Sequence, residues 1–212
     1  MNQLDLFGNP DPSKGVVATQ TGNVVIENGE YVFIPGFFNQ LESDHYLKSL
    51  RENVLWKQES MNIYGKKIEF PRLMAWYGYD NQLYSFSGIS LDPNPWTEEI
   101  LEIKDRIEPL ANVTFNSVLL NLYRDGKDSV SWHTDAEPEL GQNPIIASVS
   151  FGETRKFQLR HNITKEKIDI HLTHGSLLIM KGELQHYWQH QVPKTNTKIS
   201  ERLNLTFMFM HS

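Results

Sequence analysis

His133 and Asp135 stand two apart in SVSWHTDAE, and a third residue of matching chemistry, His190, ends HYWQH. Two imidazoles and one carboxylate are the ligands of a 2-His-1-carboxylate facial triad, which holds one face of Fe(II) and leaves the other open for oxygen chemistry. Beyond them, ERLNLTF places Arg202, Asn204 and Thr206 at alternating positions. If that face turns inward, Arg202 needs an acid beside it, because an unpaired buried guanidinium costs several kcal/mol. A dicarboxylate would satisfy it through a fork of charge-assisted hydrogen bonds. Asn121 and Tyr123 in NLYRDG repeat the alternation and could hold the other end of such a ligand. The plain alternatives are a surface turn at HTD, His190 as a core histidine, and Arg202 on a wet strand face. His186, four residues before His190, competes as third ligand.

These residues need a scaffold. VVIEN and EYVFIPG read as short strands, and Tyr46, Leu47, Leu50 and Val54 recur at helical steps over about 42–53. NIYGKKIEF reads as a hairpin around its glycine. A second helix has Asn94 as cap, Pro95 in the first turn and Trp96, Ile100, Ile103 and Ile107 in one stripe. After Pro109, NSVLLNLY, IIASVSFG, RKFQLRH, KIDIHL, GSLLIM, HYWQHQ and RLNLTFMF are strand candidates separated by turn residues. The expected fold is mainly β with flanking helices (α+β), a double-stranded β-helix or jelly-roll barrel. On such a strand His133 and Asp135 share one face and Thr134 turns away.

The 212 residues suit one domain over 23–212 behind a polar leader, 1–22. No cysteine is present, so disulfides and thiol catalysis are excluded, which suits a reducing cytoplasm. No apolar run approaches the roughly 20 residues of a membrane span, and a monomer without a membrane partner is expected. The net charge of −6 argues mildly against life on nucleic acid. Its distribution softens that objection. Acids crowd the second helix, whereas Arg155, Lys156, Arg160, His161, Lys165 and Lys167 sit together, and Lys66, Lys67 and Arg72 form another basic knot.

PRLMAWYG, YSFSG, NLYRDGKDSVSWHTDAE, PIIASVSFG, FQLRH, GSLLIM, HYWQHQVP and RLNLTF, in this order, resemble the AlkB family of Fe(II)/2-oxoglutarate dioxygenases over about residues 30–208. The pattern is most similar to the branch that acts on double-stranded DNA. The resemblance implies that His133, Asp135 and His190 hold iron, and that Arg202, helped by Asn121, Tyr123, Asn204 and Thr206, binds 2-oxoglutarate. It places Tyr84, Phe86, Ser87 and Glu137 around a flipped base, Tyr64 in the gap that base leaves, and Arg72 near the DNA backbone. The implied activity is oxidative demethylation of 1-methyladenine and 3-methylcytosine in DNA, with O2, releasing formaldehyde, succinate and CO2. Two departures stand out: Met208 replaces a second arginine of the family's strand, and Ala136 follows Asp135 where relatives often have another acid.

Other readings remain open at this stage. The same chemistry could serve RNA, a protein or a small molecule, and a barrel that binds damaged DNA without turnover would also carry these motifs. Separately, Gln3, Leu4, Asp5, Leu6 and Phe7 resemble the peptide by which bacterial repair proteins dock on the sliding clamp.

Overall fold

The computed structural model describes residues 16–18, 22–79, 84–86 and 89–211. Along the chain run β1 (Val16–Ala18), β2 (Gly22–Ile26), β3 (Gly29–Ile34) and α1 (Gln40–Asn53). The hairpin β4 (Ser60–Ile63) and β5 (Lys66–Glu69) follows, then β6 (Leu73–Gly78), the short pair β7 (Tyr84–Phe86) and β8 (Ile89–Leu91), and α2 (Glu98–Ala111). The second half is β9 (Ser117–Tyr123), β10 (Val130–His133), β11 (Ile146–Gly152), β12 (Arg155–His161), β13 (Lys167–Leu172) and β14 (Ser176–Lys181). It closes with the one-turn α3 (Leu184–Tyr187), β15 (Trp188–Val192) and β16 (Arg202–Met208).

Two sheets face each other. The major one has the order β2-β3-β14-β11-β16-β9-β6, the minor one β1-β13-β12-β15-β10. Their inner eight strands split four and four, the jelly roll expected of the sequence, with β10 as the strand that the candidate segments had not included. Among the described strands, the pairings in these two sheets are antiparallel except for β1–β13. That pair involves Val16–Ala18, within the stretch read as leader.

Two apolar layers hold the architecture. Between the sheets lie Trp76, Leu159, Ile170, Trp188 and Met208. Behind the major sheet, Leu50 of α1 and Ile100, Ile103 and Ile107 of α2 pack on Leu120, Val149, Leu203, Leu205 and Phe207. Each such side chain contributes about 1.5–3 kcal/mol by leaving water. The major sheet is therefore covered on both faces.

The helices begin where side-chain chemistry permits. Asn39 caps α1 in a reciprocal box with Glu42. The cap of α2 is Thr97, not the expected Asn94, and the helix runs past Pro109 to Ala111. Asn94 serves the neighbouring strand instead, its Nδ2 donating to the Trp76 carbonyl at 2.8 Å. In the β4–β5 hairpin the two turn residues, Tyr64 and Gly65, both have positive φ, 49° and 77°. That is the twist a two-residue hairpin turn favours.

Candidate metal centre and cosubstrate pocket

His133 ends β10 and pairs in register with His190 of β15, so the imidazoles meet across the minor sheet with ring centroids 4.2 Å apart. Asp135 lies beyond the strand end, in the irregular stretch before the turn Pro138–Leu140. The expectation that a continuing strand would aim both HxD side chains inward is thus corrected: a loop brings the carboxylate in. His133 Nε2 is 3.6 Å from Asp135 Oδ1, and His190 Nε2 is 3.5 Å from Asp135 Oδ2. Donor atoms of all three lie within 4.8 Å of one another. No other such metal-binding group occurs among the described residues. His186 is exposed and outside it.

The surroundings suit a divalent cation. His133 Nδ1 donates to the Ser131 carbonyl at 2.8 Å, which leaves the Nε2 lone pair for a metal. Phe157 stacks on His190 at 5.2 Å and fixes its ring plane. Burial pushes the His190 imidazole well below its ordinary value, with the charge of His133 adding to the effect. Burial also pushes the Asp135 carboxyl up, against the pull of His133. Both directions reflect the cost of charge in a dry place; a bound cation at this donor set would pull the Asp135 carboxyl back down and hold His190 neutral.

Beside the triad a narrow cavity of about 60 Å³ opens, bounded by Asn121, Tyr123, Asn204, Thr206 and Arg202. Arg202 is 1% exposed. Its Nη2 donates to Ser150 Oγ at 2.9 Å and its guanidinium lies 5.1 Å from the Tyr123 ring. Nε and Nη1 are buried with no hydrogen-bond partner. Burial pushes this guanidinium down to about 10. A buried guanidinium with unmet donors, lining a cavity next to three metal ligands, fits a carboxylate. The wet-face alternative for Arg202 is excluded, since Leu203, Leu205 and Phe207 on the opposite face are buried as well.

The polar partners differ in role. Asn204 is internally satisfied: its Nδ2 donates to Ser148 Oγ and the Val149 carbonyl, and its Oδ1 accepts from Thr206 Oγ1 at 3.1 Å. The serines of β11, Ser148 and Ser150, escaped the sequence reading, because SVS within an apolar run looks like any buried strand.

Arg72, expected near the DNA backbone, is 6% exposed and lines both this cavity and the groove outside it. Its Nε donates to Asn121 Oδ1 at 2.7 Å and its Nη1 to the Ser129 carbonyl at 3.3 Å. The basic run also scatters, with Arg155 and His161 buried and Lys156 paired to Asp169 at 2.9 Å.

From the triad a wider groove of about 400 Å³ leads outward, lined by Met61, Ile68, Phe70, Trp132, Thr134 and Glu137. Tyr64 stands fully exposed at the nearby hairpin tip, with exposed Lys66 and Lys67 beside it. Tyr84 and Phe86 belong to β7, but their side chains, like Ser87 and Gln3–Phe7, lie outside the described residues.

Comparison with known proteins agrees with this geometry. The 2OG-Fe(II) oxygenase superfamily matches residues 30–207. The chain belongs to that superfamily, within its AlkB family. Human alpha-ketoglutarate-dependent dioxygenase alkB homolog 3 is 45% identical over 183 residues, covering 82% of this chain and 63% of that protein. The bovine homolog 3 is 40% identical over 219 residues, 93% of this chain and 76% of its own. Human DNA oxidative demethylase ALKBH2 is 35% identical over 181 residues, 80% and 69% of the two chains. The chain thus spans just under two thirds of human homolog 3.

In three dimensions, OsALKBH1 superposes with a TM-score of 0.63 at 18% identity, covering 87% of this chain and all of that one. A prolyl hydroxylase from Trichoplax adhaerens gives 0.57 at 13%, covering 85% and 84%. At those identities the likeness concerns the fold. Membership of that superfamily implies iron and 2-oxoglutarate, and the triad and Arg202 are the residues that fit them.

Proposed function

We propose that the protein is an oxidative demethylase of N-alkylated bases in DNA, acting on 1-methyladenine and 3-methylcytosine. The observation that carries this reading is that two spaces share the metal ligands His133 and Asp135. The inner one holds Arg202 with its unpartnered donors, and the outer one is lined by Met61 and Ile68 of a hairpin tipped by an exposed aromatic and two lysines. Its relatives include proteins named DNA oxidative demethylase, which supports the same choice.

When bound, iron with 2-oxoglutarate and O2 supplies the oxidation that turns an N-methyl group into formaldehyde while 2-oxoglutarate becomes succinate and CO2. The chain supplies placement. Arg202 would hold the distal carboxylate of 2-oxoglutarate, beside the residues that would hold the iron, His133, Asp135 and His190. The Tyr123 ring lies 5.1 Å from the Arg202 guanidinium and 5.5 Å from that of Arg155, and so packs against Arg202 beside the cavity. Glu137 puts a carboxylate in the groove, where a base bearing positive charge after alkylation is favoured. The methylated edge lies inside a duplex, so the nucleotide must leave the stack, and a damaged base does so at lower cost. Tyr64, with the lysines against phosphates, is placed to occupy the space left behind.

The test is release of formaldehyde and succinate from an oligonucleotide containing 3-methylcytosine, with His133→Ala as control. Succinate and formaldehyde in equal amounts are expected. Binding of the oligonucleotide by iron-loaded protein, with neither product formed, would leave only a damaged-DNA binding module. Turnover on methylated RNA alone would move the substrate class.

A further inference from the structure

We infer that Gln185 is the positioning residue for the iron-binding carboxylate of Asp135. His133 and His190 are held by the paired strands β10 and β15, whereas Asp135 sits in irregular chain between β10 and the turn at Pro138. Its backbone N–H donates to Gln185 Oε1 at 2.9 Å, and this bond ties the ligand loop to the rest of the barrel.

Gln185 is built to hold that bond. It is 2% exposed and lies on α3, the single helical turn that leads into the strand of His190. Its Nε2 faces the sulfur of Met180 on β14 at 3.7 Å. The amide therefore has one workable orientation: turned over, its NH2 would meet the Asp135 N–H, two donors facing each other. The turn itself is anchored on both sides. Leu184 is fully buried against Gly29, where an added Cβ would come within 3.2 Å of it, and Trp188 Nε1 donates to the Glu27 carbonyl at 2.8 Å. One segment, Gln185–His190, thus contributes one ligand directly and orients another through the backbone. Outer-shell partners of this kind typically change metal affinity roughly 10- to 100-fold when removed.

This inference rests on the metal-site reading above, and the experiment separates the two. Mn(II) is titrated into metal-free protein and free Mn(II) is followed by electron paramagnetic resonance, with thermal melts of the metal-free forms beside it. Gln185→Leu is expected to weaken Mn(II) binding by roughly tenfold or more in metal-free protein that still melts cooperatively. Gln185→Ala, which leaves room for a water, is the second variant should the leucine form not fold. Gln185→Glu keeps an acceptor toward the Asp135 N–H and is expected to retain more Mn(II) affinity than Gln185→Leu. His186→Ala, an exposed neighbour on the same turn, should leave binding unchanged. Wild-type affinity in the folded leucine or alanine variant overturns the role of Gln185. If the wild-type protein itself takes up no Mn(II), the metal site falls first and this inference with it.

Discussion

Arg72 donates its Nε–H to Asn121 Oδ1 at 2.7 Å, joining β9 to the segment that precedes β6, at the wall between the cosubstrate cavity and the substrate groove. The bond fixes which end of the Asn121 amide faces inward. Arg72→Gln should therefore raise the KM for 2-oxoglutarate about tenfold, since hydrogen bonds from charged groups contribute about 1.5–3 kcal/mol. Arg72→Lys, whose single ammonium has to reach acceptors that Nε and Nη1 serve separately, should fall between. Direct 2-oxoglutarate binding to Mn(II)-loaded protein checks this; unchanged affinity in Arg72→Gln would remove Asn121 from the cosubstrate's binding set.

Arg202 carries a buried charge with two idle donors, so the ligand-free protein sustains a desolvation cost that a carboxylate offsets. Arg202→Met should leave the ligand-free melting temperature equal or higher. It should also abolish the stabilisation by 2-oxoglutarate, which for wild type at a hundred times Kd is about 2.7 kcal/mol. In a domain of this size that is roughly 5–10 °C, readable by scanning fluorimetry.

Asp128 is nearly buried and accepts from Arg124 through its backbone N–H at 2.9 Å, Nε at 2.7 Å and Nη2 at 2.9 Å. Burial pushes its carboxyl up, but the Arg124 hydrogen bonds and the charges of Arg124 and Arg155 outweigh it, and the net direction is down. A carboxylate held low stabilises the fold at neutral pH, and that stability is lost as pH falls through its folded value. Asp128→Asn should lower stability by about 1.5–3 kcal/mol near neutrality, with the gap to wild type closing in acid. Urea unfolding across that range measures it. The loop matters locally, because Gly126 packs where a Cβ would lie 2.6 Å from the Thr195 carbonyl, just ahead of the strand of His133.

Tyr64 touches solvent all round, so Tyr64→Ala should change stability by less than about 0.5 kcal/mol. On duplex substrate it should lose about 1–3 kcal/mol of transition-state binding, the worth of one stacked base. On a short single strand kcat/KM should hardly move. Equal loss on both substrates would take Tyr64 out of any gap-filling role.

The peptide Gln3–Phe7 is expected to dock on a bacterial sliding clamp. Leu6→Ala/Phe7→Ala should abolish recovery of clamp in a pull-down and leave turnover of a short oligonucleotide unchanged. Equal recovery by both proteins ends that idea.

Much of the barrel was legible because its strands are short, alternating and bounded by turn residues, and the triad was legible because His133, Asp135 and His190 come with the alternating Arg202, Asn204 and Thr206. Three features were not. Asp135 in a loop cannot be told from Asp135 on a strand, since HTD satisfies both and the deciding bond comes from Gln185, fifty positions away. Asn94 and Thr97 are both good caps, and the choice fell to Thr97 because Asn94 is engaged with Trp76. Arg72 in a basic knot reads as surface; only the fold reveals that its neighbours Lys66 and Lys67 lie outside while it turns in.

The ribbon Arg202–Met208 is a partition with no spare side. Even-numbered residues furnish the chamber, and odd-numbered ones seal against α1 and α2. Threading it one position out of step would swing a guanidinium into packed hydrocarbon and a leucine into the chamber, failing both at once. Correct assembly of the back of the molecule is therefore itself a proofreading step for the catalytic pocket.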